Sequence, residues 1–250
     1  MNKLEIKQAA KEFRQSLGLD DEIFHEDTLL KLLEEKKYYI FYENFGRESI
    51  SGAAYRRNNL NFILINNSQS LGRQNFTLSH ELGHLVIHNK DVFDLAEEDK
   101  ALEREATIFA SNFLLPEDQV KFKLGAIKNI TKFDILMISQ YFRVSFSAAA
   151  IRLSNIYGKR KMPENYDELQ VYDIIDKYEE EGDRLAQELE LDTSLYQSTN
   201  KSIYPKKKIM TKSVKLYQDG KISFGKFNEI IKMLGMDTEN ILKAIKGNQR

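Results

Sequence analysis

The stretch Thr77-Leu78-Ser79-His80-Glu81-Leu82-Gly83-His84-Leu85-Val86-Ile87-His88 holds one HExxH. On an α-helix, at about 100° per residue, His80 and His84 stand one turn apart on the same face. Two imidazoles so placed can close on one metal ion, with Glu81 beside them as a base. The competing reading is a set of histidines lining a helix face for packing. A third ligand elsewhere in the chain would decide between the two.

The chain has no cysteine, which excludes thiolate ligands and disulfides and leaves histidine and carboxylate donors. Residues 102–115, LEREATIFASNFLL, are strongly helical and are ended by Pro116. With Glu103 at zero on the wheel, Ala106 falls at about 300°, Ala110 at about 340° and Leu114 at about 20°. Glu103 therefore shares a face with two alanines. Small neighbours let a second helix approach closely, as a carboxylate must be approached if it is to reach a metal held by that helix. Glu105 falls at about 200° and reads as a solvated surface charge. His80, His84 and Glu103 are thus the expected metal ligands, and Glu81 the expected catalytic base.

Upstream, residues 2–17 carry Ile6, Ala9, Ala10, Phe13 and Leu17 at helical spacing and stop at Gly18, and residues 28–35 give a second short helix. Residues 37–42 (KYYIFY), 49–56 (SISGAAYR) and 60–66 (LNFILIN) read as strands, the last two joined by a turn at Asn58-Asn59, a pair that tolerates positive φ. Together they predict a small antiparallel sheet. The polar run 66–70 supplies capping side chains, and helical periodicity follows from about residue 73 to His88. Residues 89–98 read as a loop.

Downstream, residues 132–141 and 145–157 are expected to form a helical pair around Phe142-Arg143-Val144, more simply a packed hairpin than a DNA-reading one. Residues 166–190 predict a long acidic helix, 192–208 has the composition of a linker, and 223–245 reads as two helices around Leu234-Gly235-Met236-Asp237. The formal charge of −1 conceals an asymmetry: residues 162–200 carry 12 acidic and 2 basic side chains, and residues 201–250 carry 12 basic and 4 acidic. Such a shift suggests a separate C-terminal unit. Lys206-Lys207-Lys208 could touch phosphates, although a short lysine run is more often only solvated.

A length of 250 residues with 42% hydrophobic side chains is enough for a sizeable core. No apolar run approaches the roughly 18 residues that cross a bilayer, and the charged, amphipathic start MNKLEIKQAAKEFRQ lacks the apolar centre of a secretory signal. A cytoplasmic protein with no membrane partner is the expectation.

The succession LNFILIN, GRQNFTLSHELGHLVIH, LEREATIFASNFLLP and ISQYFRVSFSAAAIRL closely resembles the ImmA/IrrE family of bacterial zinc metallopeptidases, over residues 1 to 158. Carried over residue by residue, the resemblance implies His80, His84 and Glu103 as ligands of Zn²⁺, with Mn²⁺ as the alternative, and Glu81 as general base. It also implies a cytosolic endopeptidase whose protein substrate is a helix-turn-helix transcriptional repressor. Two positions depart from the pattern: Asn75 stands where a basic residue is frequent, and Ser79 where alanine is frequent. His88 is frequently matched, but it lies two turns from His80, too far along the axis for joint ligation, and a supporting or packing role suits it. Tyr55, Arg73 and His88 are candidates to stabilise an oxyanion.

The fold class expected is therefore α+β: a small antiparallel sheet packed against a zincin-like two-helix metal core, with additional C-terminal helices. Residues 1–158 would form the metallopeptidase-like domain. Residues 159–250 would form an extension made of an acidic helix, a linker and a basic helical pair. The rival from another class is a metal-stabilised antirepressor that binds its partner without cutting it, against which the base Glu81 argues. A third reading is a DNA-associated sensor acting through the C-terminal helices.

Overall fold

A computed structural model describes residues 1–19, 26–47, 49–88, 99–163, 166, 175–199 and 203–247. The loop expected over 89–98 lies outside them. The first helix, α1 (Lys3–Ser16), begins in a reciprocal cap: Asn2 Oδ1 accepts from the Leu4 and Glu5 amides, and Glu5 accepts from the Asn2 amide. Gly18 ends it with a φ of +70°. After α2 (Glu26–Glu35) come β1 (Tyr38–Glu43), β2 (Gly52–Arg57) and β3 (Leu60–Asn66). Asn58 and Asn59, at φ of +50° and +60°, make the expected two-residue turn between β2 and β3.

The sheet is mixed, not antiparallel throughout. With β4 (Ile203–Tyr204) the strand order is β2-β3-β1-β4; β1 and β3 run parallel, and β2 and β4 are antiparallel to their neighbours. The cause is the connection after β1: the chain crosses to the far edge before the hairpin turns β3 back beside β1, so β1 and β3 point the same way. Alternation of apolar residues cannot reveal which strand sits in the middle. In register, Ile40 meets Ile63 and Tyr42 meets Ile65, and these side chains are buried on one face.

The end of β3 aims the next helix. Asn66 is fully buried; its Nδ2 donates to the carbonyls of Gly46 (2.8 Å) and Ile50 (3.0 Å), and its Oδ1 accepts from Ser68 Oγ (2.7 Å). This side chain ties the β1–β2 connection to the exit of β3. Ser70 then caps α3 (Leu71–Gly83), which widens into a π-helical turn over His84–His88. The Leu85 carbonyl in that wider turn accepts a 2.6 Å hydrogen bond from Arg56 on β2.

Helix α4 (Lys100–Leu114), capped by Asp99, lies along α3. The expected small-residue approach is present: a Cβ added at Gly83 would sit 3.2 Å from Ala106 Cα. At the other end of α3, a Cβ on Gly72 would sit 2.5 Å from the Ser145 backbone nitrogen, so glycine is required where α3 crosses the turn before α7. Helices α5 (Glu117–Leu124), α6 (Lys132–Phe142) and α7 (Phe146–Tyr157) follow, the last two packed as a pair around Arg143, whose φ is +56°. Of the acidic helix expected over 166–190, α8 (Ile175–Glu188) is observed, against α6 and α7; residues 167–174 lie outside those described.

The stretch with linker composition is partly structured. The Gln197 carbonyl accepts from the Leu71 amide (2.8 Å), Thr199 Oγ1 donates to Gln74 Oε1 (2.9 Å), and β4 extends the sheet beside β1. Its polar groups bind the backbone and side chains of the preceding fold where composition suggested solvation alone. Beyond it, α9 (Lys206–Gln218), α10 (Phe224–Met233) and α11 (Thr238–Gly247) close on a second apolar cluster of Phe227, Ile231 and Leu234. Among the described residues no helix is long and apolar enough to cross a membrane.

Candidate metal centre

Two helices contribute the centre. His80 and His84 project from the last turn of α3 and its π-helical continuation, and Glu103 from the first turn of α4. His80 Nε2 lies 3.0 Å from His84 Nε2 and 3.0 Å from Glu103 Oε2, and His84 Nε2 lies 3.1 Å from Glu103 Oε1. One ligand atom from each of the three residues falls within 4.8 Å of the others. Ligands about 2.0–2.1 Å from one tetrahedral ion are themselves about 3.3 Å apart, so this triangle is close to the size such an ion needs.

The protonation pattern agrees with ligation. Burial, and next the neighbouring His80, holds the His84 ring down at about 4, so it is neutral at neutral pH, as a ligand must be. The hydrogen bond with His80 holds the Glu103 carboxyl below its ordinary range. The Glu81 carboxyl, 8% exposed, is pushed up to about 7 by burial, with His80 pulling it down and Glu103 pushing it up. A carboxylate poised near neutrality is suited to taking and returning a proton. The side chain lies against Gly52 on β2, where a Cβ would sit 3.3 Å from Glu81 Cγ and 2.5 Å from Thr77 Cγ2.

The outer nitrogens of both rings are held, and they orient the donors. With Nε2 of His84 directed to the centre, its Nδ1–H donates to His88 Nδ1 (3.1 Å), and His88 in turn donates from Nε2 to Glu105 Oε2 (3.1 Å). Only one set of tautomers satisfies that sequence. Glu105 also pairs with the Met1 ammonium, the chief cause of its lowered pKa. His80 Nδ1 faces Thr107 Oγ1 at 3.4 Å.

The expected ligand residues therefore come together, while Glu105 is not the solvated charge read from its wheel position. It anchors His88, because the π-helical turn and the packing of α4 bring the flank of that helix to the third histidine. Thr107 was overlooked as well. It stands four residues after Glu103 and so on the same face, a signal that was available. Of the three oxyanion candidates, His88 is committed to His84 and Glu105. Tyr55 lies on β2 with its ring stacked on Phe62. Arg73 lines a cavity next to the centre.

This donor set, two imidazole nitrogens and one carboxylate, with the outer ring nitrogens engaged, fits a divalent cation of the zinc type. Comparison with known proteins agrees. Residues 33–154 match the family described as the IrrE N-terminal-like domain. The chain is also 26% identical over 135 residues to the metallopeptidase ImmA of Bacillus subtilis (strain 168), a match covering 52% of this chain and 77% of that protein. Over residues 33–154 the chain is thus similar to the ImmA/IrrE family of metallopeptidases.

Proposed function

We propose that this protein is a cytoplasmic metal-dependent endopeptidase that cleaves a helix-turn-helix transcriptional repressor and so relieves repression. The observation that carries the reading is the meeting of His80, His84 and Glu103 within 4.8 Å beside a buried Glu81. His80 Nε2, His84 Nε2 and a Glu103 oxygen would hold Zn²⁺, with Mn²⁺ as the alternative occupant. Such an ion supplies a lowered water pKa and a polarised carbonyl.

The protein's own groups do the rest. Thr107 and the His88–Glu105 pair keep the two imidazoles in the tautomers and orientations that turn Nε2 inward. Glu81 accepts the proton of the attacking water and returns it to the nitrogen of the departing amine. Its burial excludes bulk solvent from that transfer, and Gly52 leaves it room against β2.

The test is to measure bound metal and then incubate wild type and Glu81→Gln with a helix-turn-helix repressor encoded nearby. Cleavage by wild type, and a fall of about 10²–10⁴-fold in the variant at unchanged metal content, is the expected result. Metal-loaded wild type that binds such repressors and leaves every one intact would replace the peptidase with a non-proteolytic antirepressor.

A further inference from the structure

A groove of about 570 Å³ lies beside the candidate centre, between α1, α3, α4 and α7, and none of His80, Glu81, His84 and Glu103 lines it. Its near end is formed by Thr77, one turn before Glu81, and by Thr107, which touches His80. A peptide with its reacting carbonyl at the three donors would reach this groove past Thr107 or Thr77, with the residues on one side of that carbonyl. The volume falls within the roughly 300–1,000 Å³ of clefts that bury small ligands.

The lining is one-sided in charge. Among the described residues, Lys3, Lys7, Arg73, Arg104 and Arg152 face it, against one lining carboxylate, Glu117. That carboxylate is already held by Lys7 at 3.2 Å and Lys121 at 2.7 Å. Arg152 is 4% exposed, and its hydrogen bonds go to neutral oxygens: Nε to the Leu115 carbonyl and Nη2 to Asn112 Oδ1, both at 2.9 Å. Among the described residues it has no carboxylate within ion-pair distance. Glu117 and Asp118 act on this guanidinium only at a distance, and a buried guanidinium that faces a groove with no carboxylate bonded to it can take an anion beside it. Charges of one sign along a low-dielectric cleft also reinforce one another's field.

A second, independent feature points to a peptide. Gln69, which lines the groove, is 5% exposed; its Nε2 donates to Ser51 Oγ at 2.8 Å, and its Oε1 has no hydrogen-bond partner among the described residues. A buried carbonyl oxygen left without a donor beside an open groove is matched by a main-chain N–H.

We propose that this groove is an acidic subsite, in which a substrate segment bearing Asp or Glu on one side of the cleaved bond sets its carboxylates against Arg104 and Lys3 at the rim and Arg152 at the floor, with Gln69 receiving a main-chain N–H. The assignment rests on the peptidase reading for its orientation toward the cleaved bond. Arg104 and Lys3 are both exposed, so they can be changed without opening the core.

Two measurements separate this proposal from that reading. In the first, metal-loaded wild type digests a proteome-derived peptide library, and the cleavage sites are read by mass spectrometry. Asp and Glu should be enriched on one side of the cut. The ratio of kcat/KM for an acidic peptide to that for its Gln counterpart should fall about tenfold or more in the double variant Arg104→Glu, Lys3→Glu. A control carrying Lys212→Glu and Lys215→Glu, with the same net charge, should keep the ratio. In the second, fluorescein-labelled alternating Glu-Ala and Gln-Ala peptides are titrated into metal-loaded Glu81→Gln and followed by anisotropy. The acidic peptide should bind more tightly, the preference should shrink with salt, and the double charge reversal in the same background should abolish it. Cleavage without acidic enrichment, or a preference that survives the charge reversal, overturns the subsite. Acidic-peptide binding with no cleavage by wild type keeps the subsite and removes the peptidase. Neither binding preference nor cleavage removes both.

Discussion

The helix pair α3–α4 and the terminal helices α9–α11 are both small helical assemblies, and they are held together in opposite ways. Between α3 and α4 the backbones approach through Gly83 and Ala106, and the polar groups form an ordered sequence from His80 and His84 to Thr107, His88 and Glu105. Around Phe227, Ile231 and Leu234 the terminal helices share an apolar plug, and lysines of α9 and α10 lie outward. A polar assembly of the first kind is specific because each donor has one acceptor, and losing one member leaves another buried without a partner. An apolar plug is governed by volume and tolerates change at its surface. Chemistry is therefore concentrated in the first region, and changes in the two should have separable consequences.

The largest expected effect is on the polar side. Glu103→Ala removes one of three donors, and bound metal should fall by more than the about 10–100-fold that supporting residues command. Metal content after dialysis against a buffered chelator checks this; a variant that keeps its metal would mean that another group closes the centre. Next comes Phe227→Ala, which empties a fully buried site and should destabilise α9–α11 by about 3–5 kcal/mol. Hydrogen exchange should show faster opening in residues 206–247 while metal affinity is unchanged. If α3 loosens equally, the two regions form one cooperative unit and are not separable.

Much of this was legible because local chemistry and periodicity coincide. The HExxH spacing and the Glu103–Ala106–Ala110 face each follow from 3.6 residues per turn, and the Asn58-Asn59 turn follows from tolerance of positive φ. What was not legible depends on non-local placement. Alternating apolar residues in β1 and β3 do not say that they are neighbours, and the two-residue β4 has no periodicity to read. The polar composition of 192–208 matched a linker because the partners of Gln197 and Thr199 lie more than a hundred residues earlier. Glu105 failed on the wheel for a subtler reason: the π-helical turn at His84–His88 departs from the 100° step on which the wheel depends, so the histidine that Glu105 meets could not be projected correctly.

Glu105 supplies the next prediction, since it separates orientation from ligation. Glu105→Gln keeps an acceptor for His88 but loses the charge, and metal affinity should drop by about 10–100-fold with the stoichiometry retained at saturating metal. A drop as large as that of Glu103→Ala would make Glu105 a ligand after all.

The smallest effect concerns a buried carboxylate that takes no part in the centre. Glu179 on α8 accepts from Ser147 Oγ at 2.8 Å and from the Ser147 amide at 3.3 Å, while its Oε2 has no hydrogen-bond partner among the described residues. Burial pushes its pKa above the ordinary 4.5, against the pull of the Ser147 hydrogen bonds. A carboxyl whose pKa is higher folded than unfolded binds its proton more tightly when folded. The stability this contributes is complete below about pH 4.5 and is lost as the pH rises through the folded value. Glu179→Gln keeps the oxygen that Ser147 uses and removes the titration. Its melting temperature should therefore match wild type more nearly at pH 4 than at pH 8, where the variant should be the more stable protein. A gap that narrows with rising pH would show that Glu179 is stabilised as an anion, through the N-terminus of α7 and the nearby Arg73, and that charge rather than burial governs this contact.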